Sequence, residues 1–75
     1  MSEEGETSVT TISVNGAERA IAGEMSVADL VRDLALEGKR IAVEVNGEIV
    51  PRSRYAETRL VAGDRLEIVG AVGGG

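Results

Sequence analysis

Apolar and polar positions alternate from Val9 onward: in Thr10-Thr11-Ile12-Ser13-Val14, the residues Thr10, Ile12 and Val14 share one face, the period of a half-buried strand. Asn15-Gly16 follows, a pair whose members both tolerate positive φ and which therefore closes a tight hairpin. A second strand, over about Glu18 to Ala22, is expected to pair back. A strict two-residue turn sets Arg19 opposite Ile12, on the face that should be buried, and a longer or bulged loop would relieve that conflict. Gly23-Glu24 breaks the strand, after which Ser26 stands as a helix N-cap with Asp29 three residues on, a capping-box-like pair, while Met25 and Leu30 fit a hydrophobic staple. Val27, Leu30, Val31 and Leu34 then recur at spacings of three and four, leaving Asp29, Arg32 and Asp33 for solvent. The spacing predicts a helix of about three turns, stopped by Gly38.

Ile41, Val43 and Val45 alternate in the next run, and a second Asn-Gly pair, Asn46-Gly47, turns it into the short segment Glu48-Ile49-Val50. Pro51 ends regular pairing, an irregular stretch surrounds Tyr55, and the Ala62-Gly63-Asp64 turn leads into a last strand from Arg65 to Val69, where Leu66 and Ile68 alternate with charges. The order β-β-α-β-β-β, with one amphipathic helix and one sheet, lets each apolar face cover the other. This is an α+β architecture of the β-grasp (ubiquitin-like) kind: a mixed sheet of four to five strands with one α-helix packed across one face. The organisation expected is a disordered acidic lead-in over residues 1–8, the folded domain over 9–69, and a flexible glycine-rich tail over 70–75.

A chain of 75 residues has one small core, with no walls to spare for a deep substrate pocket. Its formal net charge of −5 argues against nucleic acid and anionic membrane as partners, since both are bound through clustered Lys and Arg. There is no cysteine and no histidine, which removes the commonest nucleophile, general base and metal-ligand side chains. No apolar run approaches the ~20 residues of a membrane span and no secretory leader pattern opens the sequence, so a soluble cytoplasmic protein is expected.

What remains is the chain end, Gly70-Ala71-Val72-Gly73-Gly74-Gly75, uncharged and without a turn partner. At about 3.3–3.6 Å per extended residue, six residues reach roughly 20 Å, far enough to put a terminus into another protein's active site while the domain stays outside. Glycine passes a narrow channel and lets backbone approach a ligand closely, so the Gly75 carboxylate is the candidate reactive group.

The segment Val-Asn-Gly-Glu-Ile-Val-Pro-Arg from Val45 to Arg52, then Ala56-Glu57-Thr58, Leu60, Gly-Asp-Arg-Leu-Glu-Ile-Val from Gly63 to Val69, and the final three glycines together resemble the ThiS family, the sulfur carriers of thiamine biosynthesis. The likeness spans roughly Ile12 to Gly75, including the early Val14-Asn15-Gly16 and the helix from Val27 to Leu34; the second half carries the specific part. The resemblance implies that the Gly75 carboxylate is adenylated by a ThiF-type activating enzyme using Mg-ATP, is converted to a thiocarboxylate with sulfur from a cysteine-derived donor, and passes that sulfur to a thiazole synthase of the ThiG type. The chain would then bind no cofactor itself and act as a co-substrate rather than an enzyme. Gly74 is the neighbour in the family's terminal diglycine, and Gly73 and Val72 complete the part of the tail a partner would grip. The family's sheet face and tail base dock partners, which makes Arg52, Tyr55 and Val69 candidates for contact. The residues read alone also allow Tyr55 as a core-packing aromatic and Arg52 as a solvated loop charge.

Three other readings stay open on the sequence. The small subunit of molybdopterin synthase shares the fold and the diglycine end, although its tail usually carries prolines that are absent here, and other pathway-specific sulfur carriers end alike. A ubiquitin-like tag would join Gly75 to lysines. A β-grasp interaction module would make no use of the tail at all.

Overall fold

The computed structural model describes residues 9–70; the acidic lead-in and the segment 71–75 lie outside the described residues. The element order is β1 (Val9–Val14), β2 (Ala17–Ala22), α1 (Val27–Asp33), β3 (Ile41–Val45), β4 (Glu48–Val50), a 3-10 helix (Arg52–Glu57) and β5 (Arg65–Gly70). The strands form one sheet in the order β2-β1-β5-β3-β4, with β1 and β5 parallel and every other neighbouring pair antiparallel. The expected mixed sheet with one crossing helix is present with five strands, and the last strand in sequence is the central one in space. The irregular stretch around Tyr55 is the 3-10 helix, and the final strand runs one residue further than expected, to Gly70.

Both Asn-Gly pairs form two-residue turns, with φ of 53° and 85° at Asn15 and Gly16 and 53° and 87° at Asn46 and Gly47. This is the conformation whose twist matches the strands it joins. No bulge intervenes in the first hairpin, so Ile12 does pair with Arg19. The conflict is resolved differently: β2 is the sheet edge, so Arg19 extends past the helix flank and its Nη2 meets Asp33 Oδ2 of α1 at 2.7 Å, with 37% of its side chain still exposed. The charge is thereby paired at the surface instead of being buried opposite Ile12.

The helix begins as the sequence reading expects. Ser26 Oγ accepts from the Asp29 backbone N–H at 3.1 Å, and the Asp29 carboxylate accepts from the Ser26 N–H at 3.0 Å. The backbone hydrogen bond from Ser26 is the chief reason the Asp29 pKa lies below its ordinary value. The helix is shorter than expected, two turns instead of three, because it closes at Leu34 and not at Gly38. Ala35 takes φ of +62°, its N–H donates to Arg32 O at 3.0 Å and the Leu36 N–H donates to Val31 O at 2.9 Å, which together are a Schellman cap. Gly38 belongs to a separate turn in which the Lys39 N–H donates to Leu36 O at 3.0 Å. An alanine in the left-handed region gives no warning in the sequence, since glycine is the usual occupant.

Helix and sheet bury Ile12, Val27, Leu30, Val43 and Leu66 completely, with Ile21, Val31, Leu60 and Ile68 around them. The alternation expected in β1, β3 and β5 places Ile12, Val43, Leu66 and Ile68 on the helix side; Ile21 and Leu60 join the core without having been singled out by periodicity. Leu60 is brought in by backbone ties at the helix start, where its N–H donates to Met25 O and the Val27 N–H donates to Thr58 O, both at 2.9 Å.

Leu30→Ala and Leu66→Ala should each destabilise the domain by roughly 2–5 kcal/mol in urea unfolding, comparable with the whole stability of a fold this small; unfolding near that of the wild type would refute the core assignment. Ala35→Gly should do the opposite and raise stability by about 1 kcal/mol, since it relieves the positive-φ penalty at the cap without removing a buried contact. An unchanged or lowered urea midpoint would contradict the cap geometry.

Candidate functional site

The tail departs from β5, so the site is built from whatever fixes the end of that strand. On one side β3 accompanies β5 from Leu66 to Gly70, with Ile41 paired to Gly70 itself. On the other side β1 pairs only with Arg65 and Leu66 before the chain turns away at Asn15. The Asn15 side chain then takes over the ladder: its Nδ2 donates to Ile68 O at 3.1 Å, and its Oδ1 accepts from the Ile68 N–H at 2.8 Å. A primary amide thus offers β5 the donor and acceptor that a further strand residue would offer, two residues short of Gly70.

The start of β5 is held in the same manner by the second hairpin. The Asn46 N–H donates to Arg65 O at 2.7 Å, and its Oδ1 accepts from the Arg65 N–H at 2.9 Å. Its Nδ2 donates to Asp64 Oδ1 at 2.9 Å, while Asp64 Oδ2 accepts from the Val61 N–H at 2.9 Å. Asp64 is buried, and these bonds pair both of its oxygens. Sequence reading recognises the two asparagines as turn formers and Asp64 as a turn residue; their hold on β5 is not visible there. The available signal is the choice of asparagine at both hairpins, because glycine or aspartate would also accept the positive φ but could not both donate and accept.

Gly75, Gly74, Gly73 and Val72 lie outside the described residues. Val69 is 57% exposed on the sheet face that the helix leaves open, paired with Ala42 and on the same face as Ile49. On that face Glu44 stands directly opposite Glu67, a like-charge pair that costs stability. Arg52 and Tyr55 belong to the 3-10 helix on the other side of the sheet; Tyr55 is half-buried against the core and Arg52 is exposed. The sheet therefore separates Val69 from Arg52 and Tyr55, and the three do not form one flat patch. Among the described residues, no three His, Cys, Asp or Glu side chains gather to hold a metal ion, and no helix is long and apolar enough to cross a membrane.

A single helix laid across a mixed sheet, with the last strand at its centre leading into a glycine-ended segment, defines a ubiquitin-like β-grasp protein. The family model described as "ThiS family" matches residues 12–75, and the chain belongs to that family. It is 44% identical over 50 residues to the sulfur carrier protein ThiS of Bacillus subtilis, an alignment that takes in 67% of this chain and 76% of that one. It is also 45% identical over 62 residues to a thiazole synthase of Paramagnetospirillum magneticum; the match takes in 83% of this chain but 19% of the synthase, so the chain spans about a fifth of that relative. The crystal structure of thiamine biosynthesis protein ThiS from Geobacter metallireducens superposes with a TM-score of 0.76 at 29% identity, covering 88% of this chain and all of that one.

Asn15→Gly keeps the positive φ of the turn and removes only the side chain. It should cost about 1–3 kcal/mol in urea unfolding, because the Ile68 N–H and C=O lose their partner, and it should speed exchange of the Ile68 amide proton above that of Leu66. Equal protection of the two amides in the variant would show that Asn15 does not hold the strand end.

Proposed function

We propose that this protein is the sulfur carrier for thiazole formation in thiamine biosynthesis, working through the α-carboxylate of Gly75. The observation that carries this reading is the family match running to residue 75, which takes in the terminal glycines along with the domain. The likeness to a named sulfur carrier protein supports it further. That a stretch similar to this chain forms part of a thiazole synthase supports a synthase of that class as the sulfur acceptor, since tethering a carrier to its acceptor raises their effective concentration.

The chemistry follows from the terminus. An α-carboxyl with a pKa of about 3.5 is ionised at neutral pH and resists nucleophilic attack. One carboxylate oxygen attacks the α-phosphorus of ATP in the active site of a ThiF-type partner; the bond to pyrophosphate breaks, and an acyl-adenylate remains. A persulfide derived from cysteine then adds to the acyl carbon and displaces AMP, and a thiol cleaves the resulting acyl disulfide to leave the thiocarboxylate and a new disulfide. With no cysteine in the chain, both thiol groups belong to partners, as do the magnesium ion and the cations that stabilise the phosphoryl step. The chain is a co-substrate in this scheme. Its own contribution is reach: beyond Gly70, five residues span at most about 17–18 Å, and the final three have no Cβ to obstruct a narrow channel.

Intact mass spectrometry after incubation with a ThiF-type enzyme, Mg-ATP and a persulfide donor should record the replacement of one oxygen by sulfur, about 16 Da, in the wild type and none in a variant lacking Gly75. The deletion should leave the melting temperature unchanged, since a terminal residue beyond the sheet contributes little to stability. A mass shift in the deletion variant, or none in the wild type beside a competent control carrier, would reject the reading.

A further inference from the structure

Adenylation turns the end of this chain into an acylating agent, and the chain itself offers very little for it to acylate. Cysteine and histidine are absent, and hydroxyls are weak nucleophiles without an adjacent base. Arginine stays protonated and offers no free amine. Of the eight basic side chains only Lys39 is a lysine. Its ε-amine and the α-amino group are the only amines in the sequence able to accept an acyl group.

That one lysine stands beside the departure of the tail. Gly70 pairs with Ile41, and β3 runs antiparallel to β5, so the residues just before Ile41 lie past the end of β5. Lys39 is the second of them. It lines the same depression as Gly70, a space of about 250 Å³ between the first hairpin turn and the end of α1. Its backbone is held there by the turn that precedes β3, in which its N–H donates to Leu36 O at 3.0 Å. Lys39 is exposed, and among the described residues no carboxylate lies within salt-bridge distance of its amine. Glu37, two residues before it, is paired with Arg32 at 3.9 Å.

We propose that Lys39 is the internal acceptor of the activated Gly75 acyl group, closing an isopeptide bond when sulfur transfer does not follow adenylation. The proposal rests on the sulfur-carrier reading and adds to it a fate for the acyl-adenylate. The Lys39 ε-nitrogen attacks the acyl carbon as the free amine; the N–C bond forms, the C–O bond to AMP breaks, and the proton of the amine passes to solvent. Reach is sufficient, because the five residues beyond Gly70 span up to about 17–18 Å and the acceptor stands where that span begins. A loop this short also closes at an effective concentration on the order of mM, above that of the lysines of a separate protein. While the tail is inside the partner the adenylate is out of reach of Lys39, so closure begins when a loaded chain dissociates before sulfur arrives. The closed chain has no C-terminal carboxylate left to load and is withdrawn from the cycle. Arginine at every other basic position leaves the acyl group no second side-chain amine within the chain.

The test prepares the full chain as a Gly75 thioester, by thiol cleavage of an intein fusion, so that closure is read without an activating enzyme. At mildly alkaline pH the thioester should lose its thiol and end about 18 Da below the free carboxylate form, the mass of one water. Trypsin, cutting after Arg32, Arg40 and Arg65, should then release residues 33–40 joined to residues 66–75. Lys39→Arg should lower the yield of closed chain about tenfold or more, leaving hydrolysis to the free acid. Lys39→Arg/Arg59→Lys moves the amine to the start of α1, where residue 59 bridges Ser26, whereas Gly70 borders Leu34 at the other end of the helix; this variant should close no faster than Lys39→Arg alone. Closure through the α-amino group, equal closure in the relocated variant, hydrolysis alone, or a product of twice the mass would each overturn the proposal. With a ThiF-type enzyme and Mg-ATP but no sulfur donor, the same branched peptide should form. If an enzyme that activates a control carrier releases no pyrophosphate with this chain, the carrier reading fails and takes with it the source of the acyl group, whatever the thioester does.

Discussion

Everything in this fold is arranged around one constraint: the last strand must lie at the centre of the sheet and end at its rim. β5 is inserted between β1 and β3 and completes the ladder of both, so neither hairpin belongs to the same sheet until the C-terminal strand is in place. The two asparagine side chains extend that grip to strand positions the neighbouring backbones do not reach, Asn15 at Ile68 and Asn46 at Arg65. The buried Asp64 joins the second of these to the turn that precedes β5. On the helix side Leu66 and Ile68 close the core over Leu30 and Val27. A domain built in this order couples global stability to the placement of Gly70, which is where the tail begins.

Much of this was legible in the residues. The two Asn-Gly pairs announced hairpins because few other dipeptides accept two consecutive positive φ values. Ser26 and Asp29 announced the start of the helix because capping chemistry is local. The apolar alternation of β1, β3 and β5 named most of the core. What escaped notice depended on residues distant in sequence or on an atypical choice. Arg19 looked misplaced because its ion pair with Asp33 becomes available only once β2 is known to be an edge strand. The helix end was placed too late because Ala35 occupies a position where glycine is expected. Ile21 and Leu60 entered the core through tertiary contacts rather than through a run of periodicity. The side-chain roles of Asn15 and Asn46 require knowing that β5 passes beside both turns.

The candidate site divides in the same way. The terminal glycines stood out in the sequence as the candidate reactive end, because a reactive terminus needs no pocket of its own. The proposed contact residues could not be placed on one surface from the sequence, because Arg52, Tyr55 and Val69 all fall in the chain's second half yet end on opposite sides of the sheet. At the end of β5 the fold presents an open sheet face with Val69, Ile49 and the Glu44–Glu67 pair, while Arg52 and Tyr55 lie on the helix side.

The central claim is that a rigidly anchored strand delivers a chemically loaded Gly75 to a thiazole synthase. The most direct measurement is the fate of radioactive sulfur placed on the Gly75 thiocarboxylate of the purified chain and mixed with a thiazole synthase and its carbon substrates. The account predicts that the label leaves the chain and appears in the thiazole ring, with the chain returned to its carboxylate mass. Label that stays on the chain with a synthase that accepts sulfur from a control carrier would contradict it.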